Sequence, residues 1–291
     1  MRVFITGASG WIGTALSKEL IAAGHDVVGL ARSRASADKI EALGGTAVLG
    51  DMADHDLIVS EAIKADAVAH LAFTLDFAEF EAAVDNEVTL LGRIGDALAD
   101  SGTAFIAASG TPILAGRLAT ERDHLEAAGP AGARARTANA VLALADRGIR
   151  ASLVRMPRSV HGAGDRNGLI SVLVGLDRQL GTAAYVGDNR WPAVHIDDAG
   201  RLFFLALEKA PAGSVLHAVG EEGVPMRRVA EIIAAKTGLP AGPIDPAQLG
   251  AFGQLLGVDQ PASAEETRAL MDWKPTGPTL LEDLEAGYYT D

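Results

Sequence analysis

The feature that most constrains this chain is a run of three glycines at a spacing of three, Gly7, Gly10 and Gly13, set between an apolar stretch and an amphipathic one. Val3, Phe4 and Ile5 are β-formers without alternation, as expected of a strand buried on both faces of a parallel sheet. Beyond the glycines, Ile12, Leu16, Leu20 and Ile21 make one helical stripe that stops at Gly24. Glycine between strand and helix allows a tight bend, lets a pyrophosphate approach bare peptide N–H groups, and lets the helix pack close to the strand. The pattern predicts a phosphate-binding turn in which Gly7, Ser9, Gly10, Trp11, Ile12 and Gly13 meet a dinucleotide.

The next strand, residues 26 to 31, ends in Arg32-Ser33-Arg34. A carboxylate at this point would accept hydrogen bonds from a free ribose 2′-OH, whereas a 2′-phosphate suits guanidinium and hydroxyl groups. Two arginines, a serine and no acid favour NADP over NAD, the alternative being that Arg32 or Arg34 is a solvated loop charge. Helix 35 to 43, strand 46 to 49, a further helix, strand 66 to 71, a long helical pattern from about 77 to 100, strand 103 to 108, helix 134 to 147 and strand 150 to 155 continue the alternation. Strands and helices in this rhythm predict an α/β fold with a Rossmann-like, doubly wound parallel sheet. Ligands in such sheets sit outside the carboxyl ends of the strands. Asp51 and Met52 are therefore expected near the adenine, and Leu71, Ala72 and Phe73 beside the pyrophosphate and ribose.

After Pro157 the rhythm changes, and the glycine- and charge-rich stretch 158 to 166 marks the expected boundary. Residues 1–157 form the cofactor domain. Residues 158–291 form a smaller α/β lobe for substrate, with some segments returning to the first sheet.

Bulk properties narrow the function classes. A formal net charge of -13 offers no positive field for a polyanion, so neither nucleic acid nor an anionic membrane is an expected partner. With no cysteine, disulfides, thiol nucleophiles and cysteine-bound metals are excluded. No apolar run approaches the roughly 20 residues of a membrane span, and the chain starts in a strand without a leader pattern, so a cytoplasmic location is expected.

Taken in order, Thr6-Gly7-x-x-Gly10-x-x-Gly13, Gly50-Asp51, His70-Leu71-Ala72, Arg155-x-Pro157, Val160-His161-Gly162 and Trp273-Lys274-Pro275 resemble the extended short-chain dehydrogenase/reductase family, which includes NAD-dependent epimerases and dehydratases. The resemblance implies a nicotinamide cofactor, contacts to it from Pro157 and Val160, a small-molecule substrate under a variable second lobe, and dimerisation through two long helices. It also implies a catalytic tyrosine with a lysine four residues later, and a serine or threonine after the fifth strand.

That pair is missing. The tyrosines are Tyr185, Tyr288 and Tyr289, and no lysine lies between Lys64 and Lys209. The corresponding positions fall near Pro130 and Arg134; proline transfers no proton, and arginine stays charged. Arg134 is left to hold the ribose or to be a helix surface charge. Thr111 or Ser109 matches the hydroxyl that would bond a substrate carbonyl, or else closes a strand-end turn. Histidine being the usual side chain for acid–base work near neutral pH, His161 is the first choice for another proton donor, with a contact to cofactor or backbone as the alternative. Tyr185 and His195 are expected to pack rather than react. Asp197-Asp198 is expected to be an N-cap and dipole partner of a helix rather than a metal ligand, and His124 a solvated loop group. No metal is expected. The functions compared are an NADP(H)-dependent oxidoreductase of a small carbonyl, imine or activated alkene without the usual tyrosine, a silent NADP-binding sensor, and, last, a dehydratase or epimerase.

Overall fold

The apolar runs become the centre of one sheet because both of their faces are covered. The computed structural model describes residues 1–73, 80–114, 116–125, 132–249, 253 and 255–290. The first part of the chain alternates strand and helix: β1 (Arg2–Thr6), α1 (Trp11–Ala22), β2 (Asp26–Ala31), α2 (Arg34–Ala42), β3 (Thr46–Leu49), α3 (His55–Ile63), β4 (Ala67–His70), α4 (Phe80–Ala97), β5 (Ala104–Gly110), α5 (Gly132–Ala143) and β6 (Arg150–Met156). Of the long helical pattern expected from residue 77, residues 77 to 79 lie outside the described residues, as does Pro130.

The remainder contributes β7 (Ser159–His161), α6 (Leu169–Leu180), β8 (Ala183–Tyr185), β9 (Arg190–His195), α7 (Ile196–Lys209), β10 (Ser214–His217), β11 (Glu221–Pro225), α8 (Met226–Thr237), β12 (Ala241–Pro243), α9 (Glu265–Met271) and α10 (Leu280–Glu285). Seven strands form a parallel sheet in the order β10-β6-β5-β4-β1-β2-β3. The chain runs outward from β1 to β3 and then restarts on the other side of β1 at β4. The crevice beyond Thr6 and His70, where these two neighbours end, is therefore the switch point at which open α/β sheets hold ligands.

One face of the sheet buries Leu16 and Leu20 of α1 with Leu202 and Phe203 of α7; the other buries Ile58, Leu90, Ile94 and Val141. A Cβ on Gly200 would lie 2.8 Å from the Ala15 Cβ, so glycine lets α7 cross α1 closely. Thus α7 and β10 belong to the first layer although they follow Pro157. The other strands form a three-stranded sheet, β11-β9-β7, and a two-stranded one, β12-β8, beside a separate core cluster that includes Trp191, Val229 and Leu284.

Candidate functional site

The glycine turn is forced by its surroundings. Gly7 has φ +76°, and a Cβ there would sit 2.8 Å from the Ala72 amide nitrogen, so β1 and the chain leaving β4 nearly touch. A side chain on Gly13 would run into the Gly7 carbonyl and come within 2.8 Å of the Ala8 Cα. The Gly10 N–H closes the turn on the Gly7 oxygen at 3.0 Å. Gly10 then caps α1 without a side-chain bond, and the first turn of the helix carries no acid. The positive helix end thus faces the crevice with no acid of its own first turn to satisfy it. Ser9 and Ile12 are half-buried around it, and Trp11 donates from Nε1 to the Val160 oxygen at 3.2 Å, tying the turn to β7.

The end of β2 separates its two arginines. Arg34 is held by Asp38 (2.7 Å) and Glu41 (2.6 Å) on its own helix, while Ser33 caps that helix by accepting from the Ser36 N–H. Arg32 is exposed and has no bond to any described residue. Asp51 turns inward on its own loop, with Oδ1 accepting from Ala53 N at 3.1 Å; the Met52 carbonyl accepts from Asn86 Nδ2.

At the end of β4 the backbone is pinned by a buried polar chain. Thr6 Oγ1 accepts from the Ala72 N–H and lies 3.0 Å from His70 Nδ1, whose Nε2 is 3.2 Å from Glu87 Oε1. The other Glu87 oxygen accepts from Arg134 Nη1 and Thr137 Oγ1, both at 3.1 Å. Arg134 Nη2 donates to the Ala108 carbonyl, and its guanidinium lies 4.0 Å from the centre of the Phe73 ring. Burial alone would raise Glu87; the His70 hydrogen bond, with His70, Arg134 and Thr137 beside it, outweighs that and holds its carboxyl below the usual range. Burial lowers Arg134 more than Glu87 raises it, from a starting value high enough that the guanidinium stays charged. Arg134 is therefore a fixed cation at the strand ends rather than a solvated one, with Leu71, Ala72 and the 39% exposed Phe73 alongside.

The two hydroxyls after β5 differ. Ser109 is buried and its Oγ has no partner among the described residues. Thr111 is occupied: Gln260 Nε2 donates to its carbonyl (2.9 Å) and to its Oγ1 (3.1 Å). The acceptor end of Gln260 is taken by Arg158, which follows Pro157, through Nε at 2.8 Å and Nη2 at 2.5 Å.

His161 lies inside the fold. It is 1% exposed, with Nδ1 2.6 Å from Asp283 Oδ2, and its ring stands edge-on to His195, the centroids 5.6 Å apart. It locks β7 to α10, 122 residues away in the chain. His195, not Asp197 or Asp198, caps α7, accepting from Asp197 N; Asp198 instead receives the Thr276 and Gly277 N–H groups at 2.9 Å each. His124 is exposed.

Three side chains of this region were not singled out in the sequence: Glu87, Arg158 and Gln260. Only Glu87 leaves a local trace, an acid on the stripe Val84, Leu90, Leu91 and Ile94 that α4 buries.

Comparison with known proteins decides the family. The model for the NAD dependent epimerase/dehydratase family matches residues 3–219. The chain belongs to that family. Within reach of this epimerase/dehydratase-family chain are uncharacterized proteins of Schizosaccharomyces pombe, 38% identical over 297 residues covering 99% of this chain and 100% of the relative, and of Saccharomyces cerevisiae, 38% identical over 299 residues with 99% of each covered. A 2-alkyl-3-oxoalkanoate reductase of Stenotrophomonas maltophilia is 27% identical over 258 residues, 82% of this chain and 77% of the relative. Among solved structures, the dTDP-glucose 4,6-dehydratase of Streptomyces venezuelae with NAD and TYD bound has TM-score 0.78 at 20% identity, covering 99% of this chain and 96% of that one. The UDP-glucose 4-epimerase of Thermotoga maritima has TM-score 0.80 at 16% identity, covering 99% and 98%. These structures share the fold of the family member described here.

Proposed function

We propose that this family member is an NADP(H)-dependent reductase of a small carbonyl, imine or activated alkene, working without the tyrosine–lysine pair. One observation carries the cofactor assignment: the start of α1, with no side-chain cap and no acid in its first turn, adjoins a β2 end, Arg32-Ser33-Arg34, that holds no acid and where Arg32 has no bond to any described residue. A cradle that a Cβ at Gly7 or Gly13 would fill, opening on a helix N-terminus, suits a pyrophosphate; Arg32 and the Ser33 hydroxyl suit a 2′-phosphate. The residues that would hold the cofactor are Gly7, Ser9, Gly10, Trp11, Ile12 and Gly13 at the turn, Arg32 and Ser33 at the ribose phosphate, Asp51 and Met52 at the adenine side, and Leu71, Ala72, Phe73, Pro157 and Val160 along the strand ends. Arg34 is committed to its own helix and contributes less.

Bound there, NADPH supplies a hydride. The chain's own contribution is electrostatic: Arg134, fixed by Glu87, stands as a cation where negative charge develops on a reduced carbonyl, and Ser109, whose hydroxyl has no partner among the described residues, donates to it. Water delivers the proton, because the position expected for the tyrosine falls near Pro130 and His161 is enclosed. The relatives support a reductase: besides the oxoalkanoate reductase, a farnesyl-dihydroquinoline-oxide ketoreductase of Stigmatella aurantiaca is 26% identical over 250 residues. The same proposal places the protein in the cytoplasm as a homodimer paired through α4 and α5, with the first sheet as cofactor domain and the β11-β9-β7 region closing over substrate.

The absent tyrosine and lysine favour one second reading, a sensor that binds NADP and turns nothing over. Fluorescence titration with NADPH and NADH tests the cofactor step: NADPH should bind at least tenfold more tightly, and equal affinities would remove the assignment.

A further inference from the structure

Arg158 is a largely buried guanidinium with no carboxylate partner among the described residues. It extends from the end of β6, directly after Pro157, and so emerges at the carboxyl edge of the sheet between the strand ends and the second lobe. Its partners are all neutral: Gln260 Oε1 accepts from Nε and Nη2, and the Leu255 carbonyl accepts from Nη1 at 2.9 Å. The indole of Trp191, itself fully buried, lies beneath it at 5.1 Å. No carboxylate among the described residues pairs with it. Burial pushes the guanidinium down to about 10, a range in which it is still charged at neutral pH.

Such a charge is costly to enclose, and neutral acceptors recover only part of that cost. The arrangement around it is nonetheless fixed. Gln260 is oriented by two further bonds to Thr111, so its oxygen has to face the arginine and its NH2 group the end of β5. An arginine has five N–H donors, of which three are engaged here, leaving one on each terminal nitrogen. Free donors on a planar, stacked cation suit the oxygens of a carboxylate or a phosphoryl group.

From this geometry we infer that Arg158 is the anion subsite of the substrate pocket, and that the substrate carries a carboxylate or phosphoryl group beside its reducible carbon. The inference rests on the proposal that the strand ends hold cofactor and substrate. Arg158 binds the anionic end of the molecule; Gln260 positions it and couples it to Thr111, so that the charged end and the end beside Ser109 are held at a fixed separation. The reaction class that supplies such a substrate is one that makes oxo acids or oxo phosphates, and the product is the corresponding hydroxy compound.

The test uses three probes that differ only at the terminal group: 3-oxohexanoate, its methyl ester, and 2-oxopentylphosphonate. Binding is measured by calorimetry on the full chain saturated with NADP+, which cannot reduce them, with saturation checked by a separate titration. If NADP+ does not bind, the cofactor assignment fails, and the same comparison on the cofactor-free protein still decides the subsite. In the wild type the acid or the phosphonate should bind at least tenfold more tightly than the ester. The better of the two names the group. Arg158→Gln should bring that ratio close to one. Gln260→Glu keeps the arginine but supplies the missing counter-charge, and should collapse the ratio in the same way if the glutamine variant at 158 does not fold. Equal affinities for acid, phosphonate and ester in the wild type, or a ratio undiminished in the variants that fold, would overturn the inference.

Discussion

Arg134 and Glu87 join α5 to α4 beneath the crevice, Nη1 to Oε2 at 3.1 Å, and through Glu87 the arginine is linked to His70 and Thr6 at the glycine turn. The Arg134 cation is thus built into the core rather than added to the surface.

Breaking this link has a signed pH dependence. Glu87 is held below its ordinary value of 4.5, so its contribution is complete above that value and is lost as pH falls through the lower, folded-state value. Glu87→Gln should cost about 3 kcal/mol at pH 7, because Arg134 is left buried without its partner. Urea unfolding of both proteins at pH 7 and pH 3 should show the gap narrowing at the acidic end; a gap independent of pH would contradict the ionised pair.

Two glycines of the turn should respond differently. Gly13→Ala meets the backbone of residues 7 and 8 and should cost about 1–3 kcal/mol of stability as well as cofactor affinity. At Gly10 the nearest atom to an added Cβ is the Gly7 oxygen at 3.1 Å, with nothing else within 4 Å. Gly10→Ala should cost at most about 1 kcal/mol yet weaken NADPH tenfold or more, since its methyl stands over the helix N-terminus. Thermal unfolding and cofactor titration of the two variants check the contrast.

Arg32 and Arg34 are two residues apart and should be unequal. Arg32→Ala removes a free guanidinium and should weaken NADPH by about 10- to 100-fold with little change for NADH. Arg34→Ala breaks bonds to Asp38 and Glu41 and should change NADPH much less. Equal losses in the two variants would show that the 2′-phosphate is met elsewhere.

Much of the fold was legible because its signals are local. The glycine spacing, the unbroken apolar strands and the helical stripes each lie within a dozen residues, and the structure follows them to within a few residues at each end. The helix expected from 134 to 147 ends at Ala143 and passes through a short 3-10 turn, Ala145–Arg147, before Gly148 at φ +72°. What the local pattern does not contain is partnership over distance. His161, the first choice of proton donor in the sequence, is packed against Asp283, and Arg158, there only part of a charge-rich stretch, is enclosed by Gln260 and Trp191. The buried stripe of α4 would have marked Glu87, but its partner on α5 follows only from the sheet order.

His161 is accordingly expected to be structural. His161→Gln should lower stability by about 1–3 kcal/mol, through loss of the buried bond to Asp283. It should leave turnover within about tenfold, whereas a proton donor would be worth about 10²–10⁴. Rates and melting temperature measured on the same preparation separate the two.

The central claim is reduction by NADPH without a tyrosine, and hydride transfer tests it most directly. The protein is incubated with NADPH carrying deuterium at C4 and with 3-oxohexanoate, 2-oxopentylphosphonate and a panel of neutral ketones, imines and activated alkenes, and the products are read by mass spectrometry. The account predicts a product one deuterium heavier for at least one compound, lost when Arg134 is replaced by alanine. Tight NADPH binding with no deuterium in any product would contradict it.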